Sequence, residues 1–182
     1  ASFTSNEQAC EAVSAIFRAG ITPSAVEFME RKGVEWVMKN DGVVFDLKDQ
    51  VAALLLIELD GPSLDTLYET GEQLNAVLEQ YQCVEVLFAD TTSQKEELWR
   101  MRRTMAVSVK ANSVYKEEDT VVPRAALPQL IAGIKRIGFA YGFESICYGH
   151  AGDGNLHVNI IKGNMSDEDW QHKLKKGIAE IL

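Results

Sequence analysis

The sequence predicts an α+β fold built on a mostly antiparallel sheet with helices packed on one face. A strand–helix–strand pattern runs through residues 51–89, and the same pattern returns at 120–149, where another strand and a helix follow. Paired split units of this kind usually build an α+β sandwich. No low-complexity segment and no linker interrupts the 182 residues, so we expect positions 1–182 to form one domain.

Hydrophobic spacing predicts each element of the first half of the chain. The helix over 5–18 begins with a capping box that Thr4 and Glu7 can form, and Gly20 ends it. The strand over 51–59 is apolar on both faces, which predicts a central place in its sheet. Between them we expect a strand over 23–29, a helix over the next ten residues and a polar loop over 40–50.

The second half continues the alternation of helices and strands. One helix begins after Gly61-Pro62, and a later one has leucine and isoleucine residues along a single stripe. The predicted order is helix 63–81, strand 83–89, helix 91–109, strand 120–122, helix 125–141, two strands joined by a polar turn, and a last helix from Asp167.

Composition excludes several classes of partner. The formal net charge of −9 argues against nucleic acid or an anionic membrane surface, since phosphates would be repelled. The longest apolar run, 51–59, is too short for a transmembrane segment, and no signal-peptide pattern opens the chain. The three cysteines lack metal spacing, which favours a reduced, cytoplasmic setting with the thiols as small buried residues.

The polar turn over residues 148–160 is the first candidate functional site. His157 and Asn159 are two apart on a strand, so their side chains share a face, and His150 ends the preceding strand. Structural histidines and a plain Gly-Asp-Gly turn are the ordinary alternative. A phosphate loop fits poorly, because a strand and not a helix follows the glycines. Two histidines seven residues apart in a glycine-dense turn favour a functional site.

A basic cluster at 100–103 is the second candidate site. It places three arginines within four positions of a predicted helix in a strongly acidic chain. A solvated surface patch is the ordinary interpretation. Arg102, however, lies one helical turn beyond Trp99, where a planar guanidinium would suit bidentate capture of a carboxylate. The residues alone leave both interpretations open.

Two imidazoles, His150 and His157, make an incomplete site for a divalent metal such as Zn²⁺ or Mn²⁺. Asp153 could be a third ligand, although an aspartate in Gly-Asp-Gly is more often a turn residue. Two other functions stay open at this point. One is a metal-dependent hydrolase that uses His150 and His157, and the other is a non-catalytic binding domain whose basic cluster meets a protein partner.

The pattern Gly-His-x-Gly-Asp-Gly-Asn-x-His, from Gly149 to His157, resembles the C-terminal domain of the FAD-linked oxidases. That family includes the FAD-containing subunit of glycolate oxidase, D-lactate dehydrogenases and D-2-hydroxyglutarate dehydrogenase. Residues 19–23 and the run Glu27-Phe28-Met29 also resemble the glycolate oxidase branch. The resemblance implies a ferredoxin-like sheet.

The resemblance also implies roles for individual residues. Arg102, in a Trp-x-x-Arg element, would bind the substrate carboxylate. Asn159 would contact the substrate, and so would a polar residue before the next strand, for which Lys116 or Tyr115 is the candidate. His150 and His157 would be the catalytic, metal-binding pair, completed by a glutamate beyond this chain. Ala106 replaces a threonine of the hydroxyglutarate branch, which argues against that substrate.

As a whole, the resemblance implies the substrate-binding part of a flavin-dependent 2-hydroxy-acid oxidase or dehydrogenase of the glycolate or D-lactate type. FAD would belong to a preceding domain that this sequence lacks, since no nucleotide-binding glycine loop occurs before residue 51. The expected partners are a small 2-hydroxy acid, that FAD-binding domain and other oxidase subunits, which could hold the protein at a membrane. We expect the chain alone to be inactive and to bind no FAD.

Overall fold

The computed structural model describes residues 1–181. Seven strands of this range form one sheet in the order β4-β1-β3-β2-β6-β7-β5, and every neighbouring pair is antiparallel. The strands are β1 Ser2–Phe3, β2 Ala25–Glu30, β3 Ala53–Glu58, β4 Cys83–Glu85, β5 Tyr115–Val121, β6 Glu144–Gly149 and β7 Asn155–Ile161. The helices are α1 Asn6–Arg18, α2 Arg31–Asp41, α3 Leu64–Leu78, α4 Thr92–Arg103, α5 Met105–Asn112, α6 Leu127–Tyr141 and α7 Asp167–Ile181.

Both predicted strand–helix–strand units are split by a third strand. β1 lies between β3 and β4, the strands joined by α3, and β7 lies between β5 and β6, the strands joined by α6. A helical crossover leaves room for such an insertion, whereas a tight turn would force its two strands to pair directly. The predicted α+β class and antiparallel sheet are confirmed, and the ferredoxin-like detail stays a prediction.

Helices pack on both faces of the sheet rather than on one, which corrects the expectation from the sequence. α1, α3, α6 and α7 cover the face that carries Phe28 and Leu55. α2, α4 and α5 cover the other face, which carries Met29 and Leu54. The reason is visible in β2 and β3, where consecutive residues are apolar, so both faces must be removed from water.

Several element boundaries differ from the predicted ones. Ser5, not Thr4, caps α1, since its hydroxyl accepts from the backbone N–H of Gln8 at 3.2 Å. The helix predicted over 91–109 breaks at Thr104 into α4 and α5. β5 begins five residues before the predicted Thr120 and pairs along its whole length with β7. Its acidic residues do not show the apolar pattern of a strand, because it is an edge strand.

An ion pair closes a gap between β2 and β6. The two strands pair at Phe28↔Gly149 and Met29↔Tyr148. Beyond these pairs, the buried Glu30 carboxylate accepts the backbone N–H of Cys147 at 2.9 Å and the Lys135 ammonium at 2.7 Å. Burial raises the pKa of Glu30, and Lys135 opposes that rise. The Glu30 carboxylate thus accepts the hydrogen bond that a backbone carbonyl of β2 would accept if the two strands paired at this position.

No helix within residues 1–181 has both the length and the apolar character needed to cross a membrane.

Candidate functional site

The two strands predicted around the polar turn are present as β6 and β7, joined by a 3-10 turn at Ala151–Asp153. The turn closes at Gly154, whose φ of 76° lies in the left-handed region. A Cβ at that position would lie 1.9 Å from the carbonyl oxygen of Val122, so glycine is required there for two reasons. The hairpin pairs Tyr148 with His157 and Ile146 with Asn159 across the strands.

Glu27, on β2, is the centre of the site. Its side chain is 4% exposed and binds two partners, the Nε of Arg102 at 2.6 Å and the Nδ1 of His150 at 2.6 Å. In the sequence, Glu27 belongs to a run that resembles the glycolate oxidase branch, and that resemblance implies no role for it. The signal was present, however: an acidic residue between Val26 and Phe28 on an apolar strand must find cationic or hydrogen-bonding partners when buried.

Arg102 is inside the site and not on a solvated surface patch. Its side chain is 11% exposed, and its guanidinium carbon lies 5.3 Å from the centre of the Tyr148 ring. Trp99 fixes the preceding turn of α4, because its indole N–H donates to Glu58 of β3 at 2.6 Å. The neighbouring Arg103 is exposed and lies over the Trp99 ring. Arg102 is therefore the arginine of the cluster that reaches the sheet.

His157 lies on the same face, with its ring centre 5.5 Å from that of Tyr148. Its Nδ1 is 3.3 Å from Glu117 and 3.7 Å from Asp119, both on β5. The angles do not make a hydrogen bond, so within residues 1–181 this buried nitrogen has no hydrogen-bond partner. Asn159 is fully buried, donates weakly to the Ile146 carbonyl at 3.4 Å, and its Oδ1 has no partner in the described part of the chain.

Tyr148 joins the two halves of this cluster. Burial raises the pKa of its phenol and the Glu117 carboxylate raises it further, whereas the Asn159 amide and the Arg102 guanidinium oppose the rise. The phenol therefore lies between the positive Arg102 on the α4 side and the negative Glu117 on the β5 side. The site has a cationic end and an anionic end.

Lys116, a predicted substrate-binding residue, and Asp153, the less favoured candidate for a third metal ligand, are not brought to this cluster. Lys116 alternates with Tyr115 and Glu117 along β5, so its side chain projects from the opposite face and pairs with Glu118 at 3.1 Å. Asp153 is exposed in the turn. Tyr115, the other candidate before β5, packs on the site's face of the sheet.

The described residues do not supply a complete metal centre. No group of three or more His, Cys, Asp or Glu side chains between residues 1 and 181 is placed to hold an ion. Nδ1 of His150 is engaged by Glu27, and Asp153 lies in the turn. A catalytic zinc site needs three protein ligands, so a metal or a metal-dependent hydrolase would need a ligand from elsewhere.

A groove of about 740 Å³ lies away from this cluster, beside the Glu30–Lys135 pair and the exposed Phe139. Neither Arg102 nor the two histidines line it. Its charged groups already neutralise one another, whereas the His150 side chain is 54% exposed and can meet a ligand. The chemistry thus favours the surface around Glu27 over the groove.

Comparison with known protein families shows which family the chain belongs to. The family described as FAD linked oxidases, C-terminal domain, matches residues 1–181. The chain belongs to this family. The cluster around Glu27 therefore lies on a domain of the FAD-linked oxidase family, whose curated relatives include dehydrogenases and oxidase subunits.

Curated relatives agree with the family. The chain is 29% identical over 181 residues to a D-lactate dehydrogenase from Anaerostipes hadrus, covering 97% of this chain and 37% of that protein. It is 32% identical over 162 residues to the glycolate oxidase subunit GlcD of Escherichia coli (strain K12), covering 88% of this chain and 32% of that protein. This FAD-linked oxidase domain thus spans about a third of the length of these relatives.

Solved structures share the fold. A 4-ethylphenol oxidase from Gulosibacter chungangensis matches 99% of this chain and 42% of its own, with a TM-score of 0.56 and 10% identity. An alkyldihydroxyacetonephosphate synthase matches 98% of this chain and 39% of its own, with a TM-score of 0.55 and 13% identity. At such low identity the likeness concerns the fold alone.

Proposed function

We propose that this chain is the substrate-binding part of a flavin-dependent 2-hydroxy-acid oxidase or dehydrogenase of the glycolate or D-lactate type. FAD is then bound by another part of the protein, and residues 1–182 alone bind no flavin and have no dehydrogenase activity. The proposal rests on one observation: the buried Glu27 carboxylate binds both Arg102 and His150. Arg102 is a cation that suits a carboxylate, and His150 is a base that suits a hydroxyl group.

Arg102 binds the substrate carboxylate. Within the described residues its guanidinium donates to protein through Nε alone, so both Nη groups stay available for a bidentate pair. Glu27 binds the Nε side of the guanidinium and fixes its plane. The Arg102 side chain therefore loses less conformational entropy when a substrate binds. The open side of the cluster is where a flavin-binding domain would close over the substrate.

His150 receives the hydroxyl proton. Because its Nδ1–H donates to Glu27, its Nε2 carries the lone pair and projects from a half-exposed side chain. A bound flavin supplies the acceptor for the hydride that leaves the α-carbon. His157 and Asn159 then line the far side of the substrate. A divalent metal on His150 and His157 would need its third ligand from outside the described residues.

The test uses the protein that joins this chain to its flavin-binding domain, with flavin reduction by D-lactate and glycolate followed in anaerobic stopped flow. Arg102→Met is expected to lower kcat/KM by about 100-fold or more, since it removes two charge-assisted hydrogen bonds of roughly 1.5–3 kcal/mol each. Arg103→Met, at the exposed neighbouring arginine, is the matched control and should change kcat/KM less than about twofold.

Flavin content and circular dichroism of each variant separate lost binding from lost folding, and Arg102→Lys keeps the charge without the planar fork. A folded Arg102→Met enzyme with wild-type kcat/KM would show that the carboxylate binds elsewhere.

A further inference from the structure

The β5 side of the site is acidic, and nothing in the proposed chemistry uses that charge. Glu117 and Asp119 project from β5 on the face that carries His157 and Asn159. Within residues 1–181 no lysine or arginine pairs with either carboxylate, and the adjacent Lys116 pairs with Glu118 on the opposite face. The Glu117 side chain is 36% exposed, so a ligand bound on this face of the sheet can reach it.

The order of the strands gives the site a direction. Glu27 is on β2, Tyr148 on the adjacent β6, His157 on β7, and the two carboxylates are on β5. Adjacent strands are about 4.8 Å apart, so β5 lies roughly 10 Å beyond β6. If the carboxylate of a four- or five-carbon hydroxy acid rests on Arg102, above Tyr148, the distal end of that acid extends towards β5.

Buried polar atoms lie between the two ends. Nδ1 of His157 and Oδ1 of Asn159 are both buried, and neither has a hydrogen-bond partner among the described residues. Asn159 is fully buried, and such orphaned atoms in a native fold call for a ligand or water. We therefore expect a substrate to bind on this face of the sheet, between Arg102 and the β5 carboxylates.

We propose that Glu117, supported by Asp119, determines the substrate range of the enzyme by rejecting a second negative charge. The favoured substrates are 2-hydroxy acids whose distal part is neutral, and 2-hydroxy dicarboxylates of the same length are disfavoured. This inference rests on the proposed function, because it assumes that Arg102 binds the first carboxylate. The effect of Glu117 on the phenol of Tyr148 is consistent with a negative potential that reaches the centre of the site.

The test compares acids of equal length in the protein that joins this chain to its flavin domain. D-2-hydroxypentanoate is paired with D-2-hydroxyglutarate, and D-2-hydroxybutyrate with D-malate. The wild-type enzyme is expected to favour each monoacid by about tenfold or more in kcat/KM, because like charges brought together oppose binding. Glu117→Gln should reduce that preference by about fivefold, and Glu117→Lys should remove it.

Glu118→Gln is the matched control, since it removes the same charge one residue away on the opposite face of β5 and should leave the preference unchanged. Equal kcat/KM for mono- and dicarboxylates in the wild-type enzyme would overturn the inference while leaving the proposed function in place. A preference that survives Glu117→Lys would overturn the assignment to Glu117. Failure of every 2-hydroxy acid to reduce the flavin would instead refute the proposed function.

Discussion

The ion pair between Glu30 and Lys135 allows a quantitative test of how β2 and β6 are held together. The Glu30 side chain is 6% exposed, and Lys135 Nζ lies 2.7 Å from it while also donating to the Ser145 carbonyl at 2.8 Å. Lys135→Met removes the cation and leaves the carboxylate buried. Loss of one partner of a fully buried pair costs roughly 3–5 kcal/mol.

The expected loss here is smaller, about 2–3 kcal/mol, for two reasons. The Lys135 side chain is 35% exposed, so water already screens part of the interaction. Glu30 also keeps two other donors, the Cys147 backbone N–H at 2.9 Å and the Asn6 amide at 3.0 Å. Urea unfolding of the purified protein at pH 7, followed by circular dichroism, measures the difference.

The loss should depend on pH with a defined sign. Burial raises the folded-state pKa of Glu30 above its ordinary value, so the folded protein binds the proton more tightly than the unfolded chain. Stability therefore falls as pH rises from the ordinary carboxyl pKa through the raised one. Removing Lys135 takes away a group that lowers this pKa, so the deficit of Lys135→Met should be larger at pH 7 than at pH 5.

Lys32→Met is the matched control, because Lys32 pairs with Glu144 at the surface and should cost less than about 0.5 kcal/mol. The double variant Glu30→Gln with Lys135→Met should recover part of the loss, since it removes the unpaired charge. A Lys135→Met protein within about 0.5 kcal/mol of wild type at pH 7, or one with a larger deficit at pH 5, would refute the reasoning.

Two further predictions concern the hairpin and the thiols. Gly154→Ala should destabilise the protein by more than about 2 kcal/mol, against about 1 kcal/mol for Gly20→Ala, as measured by thermal unfolding. Both glycines have positive φ, but only at Gly154 would the new methyl group meet backbone, at 1.9 Å from Val122; equal losses would contradict this. Burial raises the pKa of the Cys147 thiol well above its ordinary value, so Ellman's reagent at pH 8 should label the half-buried Cys83 first and Cys147 after unfolding. Mass mapping that finds Cys147 labelled as fast as Cys83 in the native protein would show that β6 opens readily.

Local patterns in the sequence were sufficient for the type and order of most elements. The apolar run that becomes β3, the stripe of α6, and the two strands flanking the glycine-rich turn all depend on side chains near one another in the chain, and each is present. The side chains of His157 and Asn159 lie on one face of β7, as the two-residue period of a strand predicts. The two-residue strand β1 was missed, because it is formed by its partners β3 and β4 and not by its own sequence.

Long-range contacts decided what the sequence alone left open. Whether Arg102 lies on the surface or in a site depended on Glu27, which is 75 residues away and was assigned no role from the sequence. The side of β5 that faces the histidines depended on its register with β7, which directs Glu117 inward and Lys116 away. A strand's period tells which residues share a face, but the tertiary fold decides which face meets the site, because burial and pairing with distant strands set that choice.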